Sequence, residues 1–213
     1  MRRFGQVVFL LLSIGFGFTA SPQAVRPQAG ENGERVIVFI GDSLTAGYGV
    51  KKEEAFPDKA GEILRADGHK VKIINGGISG SVTAEANSRV RWFLRAKPSI
   101  IVLELGGNDG LNGAPIATIK KNLGNAIVAA QAGGAKVLLL GMRVYTNFGD
   151  DYQKKFENIY KDLAQEHKVQ LMPFLLKSVA MKRELNQADL KHPNAQGHAL
   201  VAKDVAAELE KLL

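Results

Sequence analysis

The sequence predicts an α/β fold, a three-layer α/β/α sandwich built on a five-stranded parallel sheet. Three observations carry that prediction. Five apolar runs, at 36–40, 71–74, 100–105, 137–140 and 169–172, recur at intervals of roughly 30–35 residues. Each is short, rich in β-branched residues and nearly continuous, the pattern of a strand buried on both faces. Segments of helical periodicity lie between them, and that alternation gives crossover connections and helices on both sides of a parallel sheet. No side-chain motif repeats at the same interval, so the repetition is one of strand–helix units and not of a solenoid.

The elements follow in order. The first run stops at Gly41-Asp42-Ser43, where three glycines in nine positions (41, 47 and 49) free the backbone behind a strand end. A helix is expected over 55–66, with Phe56, Ala60, Ile63 and Leu64 on one face and Gly68 as its stop. The next covers 83–95 and ends in basic residues before Pro98. A third, over 115–132, opens on proline and closes at Gly133-Gly134. A fourth, over 151–167, puts Phe156, Ile159, Tyr160 and Leu163 on one face. The last begins after His192-Pro193, with Asn194 as N-cap, and runs to the C-terminus.

Ahead of this domain, expected over 35–213, the N-terminus has its own character. Arg2-Arg3 precede an apolar stretch of about a dozen residues (7–18) and then Thr19-Ala20-Ser21. That is the layout of a secretory signal peptide over 1–21, with no clean cleavage motif, and it is short for a span of about 20 apolar residues. Residues 22–34, punctuated by Pro22, Pro27, Gly30 and Gly33, read as a linker. A periplasmic or secreted location follows as an expectation.

There are no cysteines, so disulfides, thiolate metal sites and a cysteine nucleophile are excluded. The formal charge is +7, with lysines spread along the predicted helices and no basic run interleaved with aromatics. The expected surface is a solvated one, with weak attraction to anionic membranes and no nucleic-acid partner. A monomer is the default.

In open α/β sheets, ligands bind at the carboxyl ends of the strands. Those ends carry Gly41-Asp42-Ser43, Asn75-Gly76-Gly77-Ile78-Ser79-Gly80, Gly106-Gly107-Asn108-Asp109, and a long loop from Gly141 to Gly149. Before the last helix stands Asp189-Leu190-Lys191-His192. A serine, a histidine with a carboxylate three residues upstream, and several glycines and amides are the parts of a serine hydrolase. Each part alone has a plainer alternative: Ser43 as a helix cap, Gly80 and Gly107 as turn glycines, Asn108 as an Asx-turn residue. Asp189 and His192 stand out because three residues in a turn can set a carboxylate against imidazole Nδ1 and leave Nε2 free. His192 and His198 are six residues apart, which does not match the i, i+4 spacing of a helical metal pair. Gly-x-Ser-x-Gly, the phosphate-binding P-loop and Gly-x-Gly-x-x-Gly are all absent.

Together the four blocks GDSLTAGYG (41–49), NGGISG (75–80), GGND (106–109) and D-x-x-H-P-N (189–194) resemble those of the Ser-Gly-Asn-His, or GDSL, hydrolases. LELGGNDG and Arg143…Asn147 resemble the bacterial secreted arylesterase, thioesterase and lysophospholipase subgroup. The resemblance implies a flavodoxin-like sheet and a triad of Ser43, Asp189 and His192. It also implies an oxyanion site made by the backbone N–H groups of Ser43 and Gly80 and the Asn108 side chain, with Asp42 as support for the serine turn. No metal or organic cofactor is needed. Small acyl esters, thioesters or lysolipids are the implied substrates, and Ile78, Leu111, Tyr145, Asn147 and Phe148 are the candidate substrate contacts. An O-acetyl polysaccharide deacetylase of the same family is the runner-up, and a non-catalytic ligand-binding module stands further back. The sequence departs from the family pattern at Leu190, where glycine is usual, and at Lys191 beside the histidine; the second block, Asn-Gly-Gly-Ile, is also looser than usual.

Overall fold

A computed structural model of the chain describes Met1 and residues 33–145 and 148–213. The signal-peptide and linker readings of 1–34 therefore fall almost wholly outside the described residues, as does Asn147. Among the described residues no helix is long and apolar enough to cross a membrane.

The five expected runs are the five strands, β1 (Arg35–Gly41), β2 (Val71–Asn75), β3 (Ile100–Glu104), β4 (Lys136–Leu140) and β5 (Gln170–Met172). They form one parallel sheet in the order β2-β1-β3-β4-β5, the doubly wound flavodoxin-like order. Their burial follows from that order. The inner β3 is buried at every residue, and most of β1 and β4 is buried too, whereas the edge strands β2 and β5 are half covered. This is why the three inner runs read as nearly continuous apolar stretches, Val/Ile/Leu apart from Phe39 in β1 and Glu104 in β3.

Helix α2 (Phe56–Ala66) packs on α7 (Ala195–Glu210), while α3 (Ala86–Phe93), α5 (Ile116–Ala132) and α6 (Asp150–His167) lie side by side. These are the two outer layers of the sandwich. Asn194 caps α7 as expected, its Oδ1 accepting from the Gly197 N–H at 3.0 Å. The expected helix over 83–95 is less regular: a 3₁₀ turn at Thr83–Glu85 precedes α3 and another at Leu94–Ala96 follows it. Two one-turn helices, α1 (Ser43–Ala46) and α4 (Gly107–Leu111), occupy stretches read from sequence as loops. At four and five residues they are too short to show a period.

The topology positions the site. From β1 the chain moves outward to β2, then returns to the other side of β1 for β3, so the order reverses between β1 and β3. The crevice at that reversal is where doubly wound sheets bind ligands. Helix α1 follows β1 and α4 follows β3, so Ser43 and Asn108 both stand at its mouth.

Candidate active site

The turn after β1 is pinned from several directions. Asp42, nearly fully buried, is the N-cap of α1, and its Oδ1 accepts from the Leu44 N–H at 3.0 Å. Asp42 therefore takes the capping role, and the Ser43 hydroxyl is left free for other work. Below the turn lies Glu104, the last residue of β3 and wholly buried. One of its oxygens accepts from the Asp42 N–H at 3.1 Å and the Thr45 hydroxyl at 2.8 Å, while the other is buried with no hydrogen bond of ordinary geometry among the described residues. Burial, and next the neighbouring Asp42 carboxylate, push the Glu104 carboxyl well above the usual range, which favours its protonated form. Arg89 braces the same turn from α3. Its guanidinium donates to the Gly41 carbonyl at 3.0 Å, to the Ser81 hydroxyl at 2.9 Å, and to the Gly76 carbonyl.

Ser43 Oγ lies 2.9 Å from His192 Nε2, and His192 Nδ1 lies 2.6 Å from Asp189 Oδ2. Asp189 Oδ1 also accepts from the backbone N–H groups of Lys191 at 2.9 Å and His192 at 3.1 Å. Burial by itself raises the Asp189 carboxyl, but the bond from the His192 ring and those two N–H bonds outweigh it and hold the group at about 2. An ionised carboxylate only accepts, so Nδ1 is the donor and the neutral imidazole presents a lone pair at Nε2 to the serine. The departure at Leu190 leaves this turn intact: Leu190 takes φ 58°, the left-handed conformation that glycine fills without strain.

The second and third blocks close around the serine. Asn75 Nδ2 donates to the Thr45 carbonyl at 2.9 Å and its Oδ1 accepts from the Gly77 N–H at 2.9 Å, tying β2 to α1. Gly80 sits at φ 83° on an exposed turn, and its N–H meets no acceptor among the described residues. Asn108 Nδ2 donates to the Ser81 carbonyl at 2.9 Å and has a longer contact, 3.3 Å, with Asp42 Oδ2. The amide is thus held closely on the Ser81 side and more weakly on the Asp42 side. Asp109, buried, accepts from the Thr83 N–H at 2.9 Å and hydroxyl at 2.6 Å, fastening α4 to the 3₁₀ turn ahead of α3.

A cavity of about 360 Å³ opens beside Ser43, Asn108 and His192. Of the five candidate substrate contacts, Leu111 and Tyr145 line it; Ile78 and Phe148 do not. Ile78 is exposed on the second loop, and the Phe148 ring leans on Tyr152, 5.5 Å between centroids. Sequence reasoning missed most of the apolar wall: Met142, Val144, Phe174, Leu176, Met181 and Leu190. Four of these lie in 173–190, which has no period to read; its position just past the carboxyl end of β5 was the available signal. Arg143 borders the cavity with its guanidinium carbon 4.9 Å above the Phe174 ring and Nε 3.5 Å from Glu157. Lys191 borders it as well.

Residues 39–200 match the model of the GDSL-like lipase/acylhydrolase family. An arylesterase of Vibrio mimicus is 38% identical over 186 residues, covering 87% of this chain and 92% of the relative. A thioesterase, protease and lysophospholipase of Escherichia coli is 32% identical over 178 residues, 83% of this chain and 84% of its own length. Among solved structures, AlinE4, an SGNH-hydrolase family esterase, superposes with a TM-score of 0.71 at 39% identity, covering 84% of this chain and 97% of that one. Likeness of this extent, on a sheet whose strand ends already gather the four blocks, settles the family: the chain belongs to the GDSL-like lipase/acylhydrolases and is an enzyme that hydrolyses carboxylic esters.

Proposed function

We propose that Ser43 is the nucleophile of a two-step acyl transfer to water, with His192 as general base and Asp189 as its orienting acid. The observation that carries this reading is the line Ser43 Oγ, His192, Asp189, at 2.9 and 2.6 Å, opening into an apolar cavity. In the first step the Ser43 proton passes to His192 Nε2 as Oγ bonds to the substrate carbonyl carbon and an electron pair moves onto the carbonyl oxygen. That oxyanion is met by the N–H groups of Ser43 and Gly80 and by Asn108 Nδ2. The tetrahedral species collapses, the leaving oxygen or sulfur departs with the proton from Nε2, and the acyl group stays on Ser43. Water then repeats the sequence and releases the acid. General-base assistance contributes roughly 10²–10⁴-fold, and each well-aimed oxyanion donor about 3–4 kcal/mol.

Aryl esters, fatty acyl thioesters and lysolipids are the proposed substrates. The apolar lining supports acyl chains, and relatives named for arylesterase, thioesterase and lysophospholipase activity support the three leaving groups. The N-terminal pattern of 1–21 supports action in the periplasm or outside the cell. Arg143 and Lys191 at the cavity mouth support weak contact with anionic membranes, and the protein acts as a monomer in this reading. The test is a series of p-nitrophenyl esters of increasing acyl length, run beside a fatty acyl thioester and a lysophospholipid. Medium-chain esters and the thioester should be turned over at least as well as the acetate. A sharp collapse beyond acetate would overturn this substrate class in favour of O-deacetylation.

A further inference from the structure

The two halves of the site, 41–49 and 187–194, are joined by more than the Ser43–His192 contact. Gln187 Nε2 donates to the Tyr48 carbonyl at 2.6 Å and to the Pro193 carbonyl at 3.0 Å. The Gln187 backbone N–H donates to the His192 carbonyl at 2.8 Å. One residue therefore holds the serine loop and the backbone carbonyls of His192 and Pro193. Glycine suits position 49, which takes φ 78°, and a Cβ there would press on the Gln187 side-chain amide. Held this way, the Tyr48 ring faces the imidazole of His192, with centroids 4.9 Å apart and planes at 47°. Tyr48 is itself about half exposed, 54%, and does not line the cavity, so burial does not explain its placement.

We propose that Tyr48 and Gln187 are a single positioning device for His192. Gln187 locks the Tyr48 backbone to the histidine turn, and the Tyr48 ring fixes the imidazole tilt and favours its cationic form during acyl transfer. The proposal rests on the reading of Ser43 as nucleophile and His192 as base. The physical basis is that a cation within about 6 Å of an aromatic centroid is attracted by the ring quadrupole. At pH values above the acid limb the imidazolium arises while His192 carries the serine proton, so the attraction favours the transition state there; below it the same attraction favours the protonated resting enzyme. The other charged or titratable groups facing His192 are Asp189 on Nδ1, Asp42 across the serine turn, Lys191 next in the chain and His198 from α7. None of them is a hydrogen-bond partner of the Gln187 side chain, which reaches only the Tyr48 and Pro193 carbonyls.

The test compares Tyr48→Phe, Tyr48→Leu, Gln187→Ala and the Tyr48→Leu/Gln187→Ala double variant, with Ser43→Ala as control. The readouts are far-UV circular dichroism and the pH dependence of kcat and kcat/KM on a p-nitrophenyl ester from pH 5 to 9. Tyr48→Phe keeps the ring and should stay within about twofold of the parent. Tyr48→Leu should lower kcat about two- to fivefold at nearly constant KM and move the acid limb of kcat/KM down by about half a pH unit. Gln187→Ala should move the limb the same way, and the double variant should be no worse than the more damaged single. An unmoved acid limb, an effect confined to KM, or fully additive losses would overturn the device while leaving the triad reading in place. Full activity in Ser43→Ala would overturn that reading instead.

Discussion

Leu190 shows how much a single residue can conceal. Its identity is a legible departure, since the resembling family usually has glycine there, but its backbone is not: the turn is kept by forcing leucine to φ 58°. A left-handed conformation costs an L-residue roughly 1–2 kcal/mol, and glycine's greater unfolded-state freedom returns roughly 0.5–1 kcal/mol of that on substitution. Leu190→Gly should therefore raise the unfolding free energy by up to about 1 kcal/mol in urea titration; a loss of stability would mean that the side chain's cavity contacts outweigh the strain. Glu104 was hidden in another way. In sequence it is one acid at the end of an apolar run and reads as a strand terminus. Only the pairing of β1 with β3 brings it under the serine turn, where it holds the Asp42 N–H and the Thr45 hydroxyl.

Elements with a strong period were legible nearly to their ends, because burial on both faces of a parallel strand or on one face of an amphipathic helix writes itself into residue type. Joints between elements were not. His198 reads as one more residue of the last helix, yet its Nδ1 accepts from the Phe56 N–H at 3.2 Å and so caps α2 from α7. Its ring is stacked on Phe56 and almost fully buried. Burial, and then the field of His192, lower it to about 4 from its ordinary 6.5. The folded state thus disfavours the protonated ring while the unfolded chain accepts the proton. This group's share of stability is fully present above about pH 6.5 and is lost as pH falls toward 4. On the linkage relation the loss is on the order of 3 kcal/mol. Urea unfolding at pH 7 and pH 4.5 should show a larger drop for the parent than for His198→Asn. Equal drops in the two proteins would contradict the cap.

For the whole molecule, the parallel sheet was legible in the alternation of strands and helices, whereas the strand order β2-β1-β3-β4-β5 came only with the structure, and it explains why blocks so distant in sequence meet. Ser43 and His192 are 149 positions apart, and the reversal between β1 and β3 puts the first and third blocks on the same crevice that the last block closes. Blocks with fixed residue types were readable because chemistry constrains them. The cavity wall was not, since any apolar side chain of fitting size serves, and 173–188 carries neither period nor motif. In the proposed mechanism one serine carries the acyl group between two half-reactions. Rapid-quench intact-mass measurement with an activated aryl ester, followed by peptide mapping, tests it most directly. An added acyl mass is expected in the first turnover, located on Ser43 and missing from a folded, inactive Ser43→Ala variant; acylation at another residue, or undiminished turnover by that variant, would rule out Ser43 as the nucleophile.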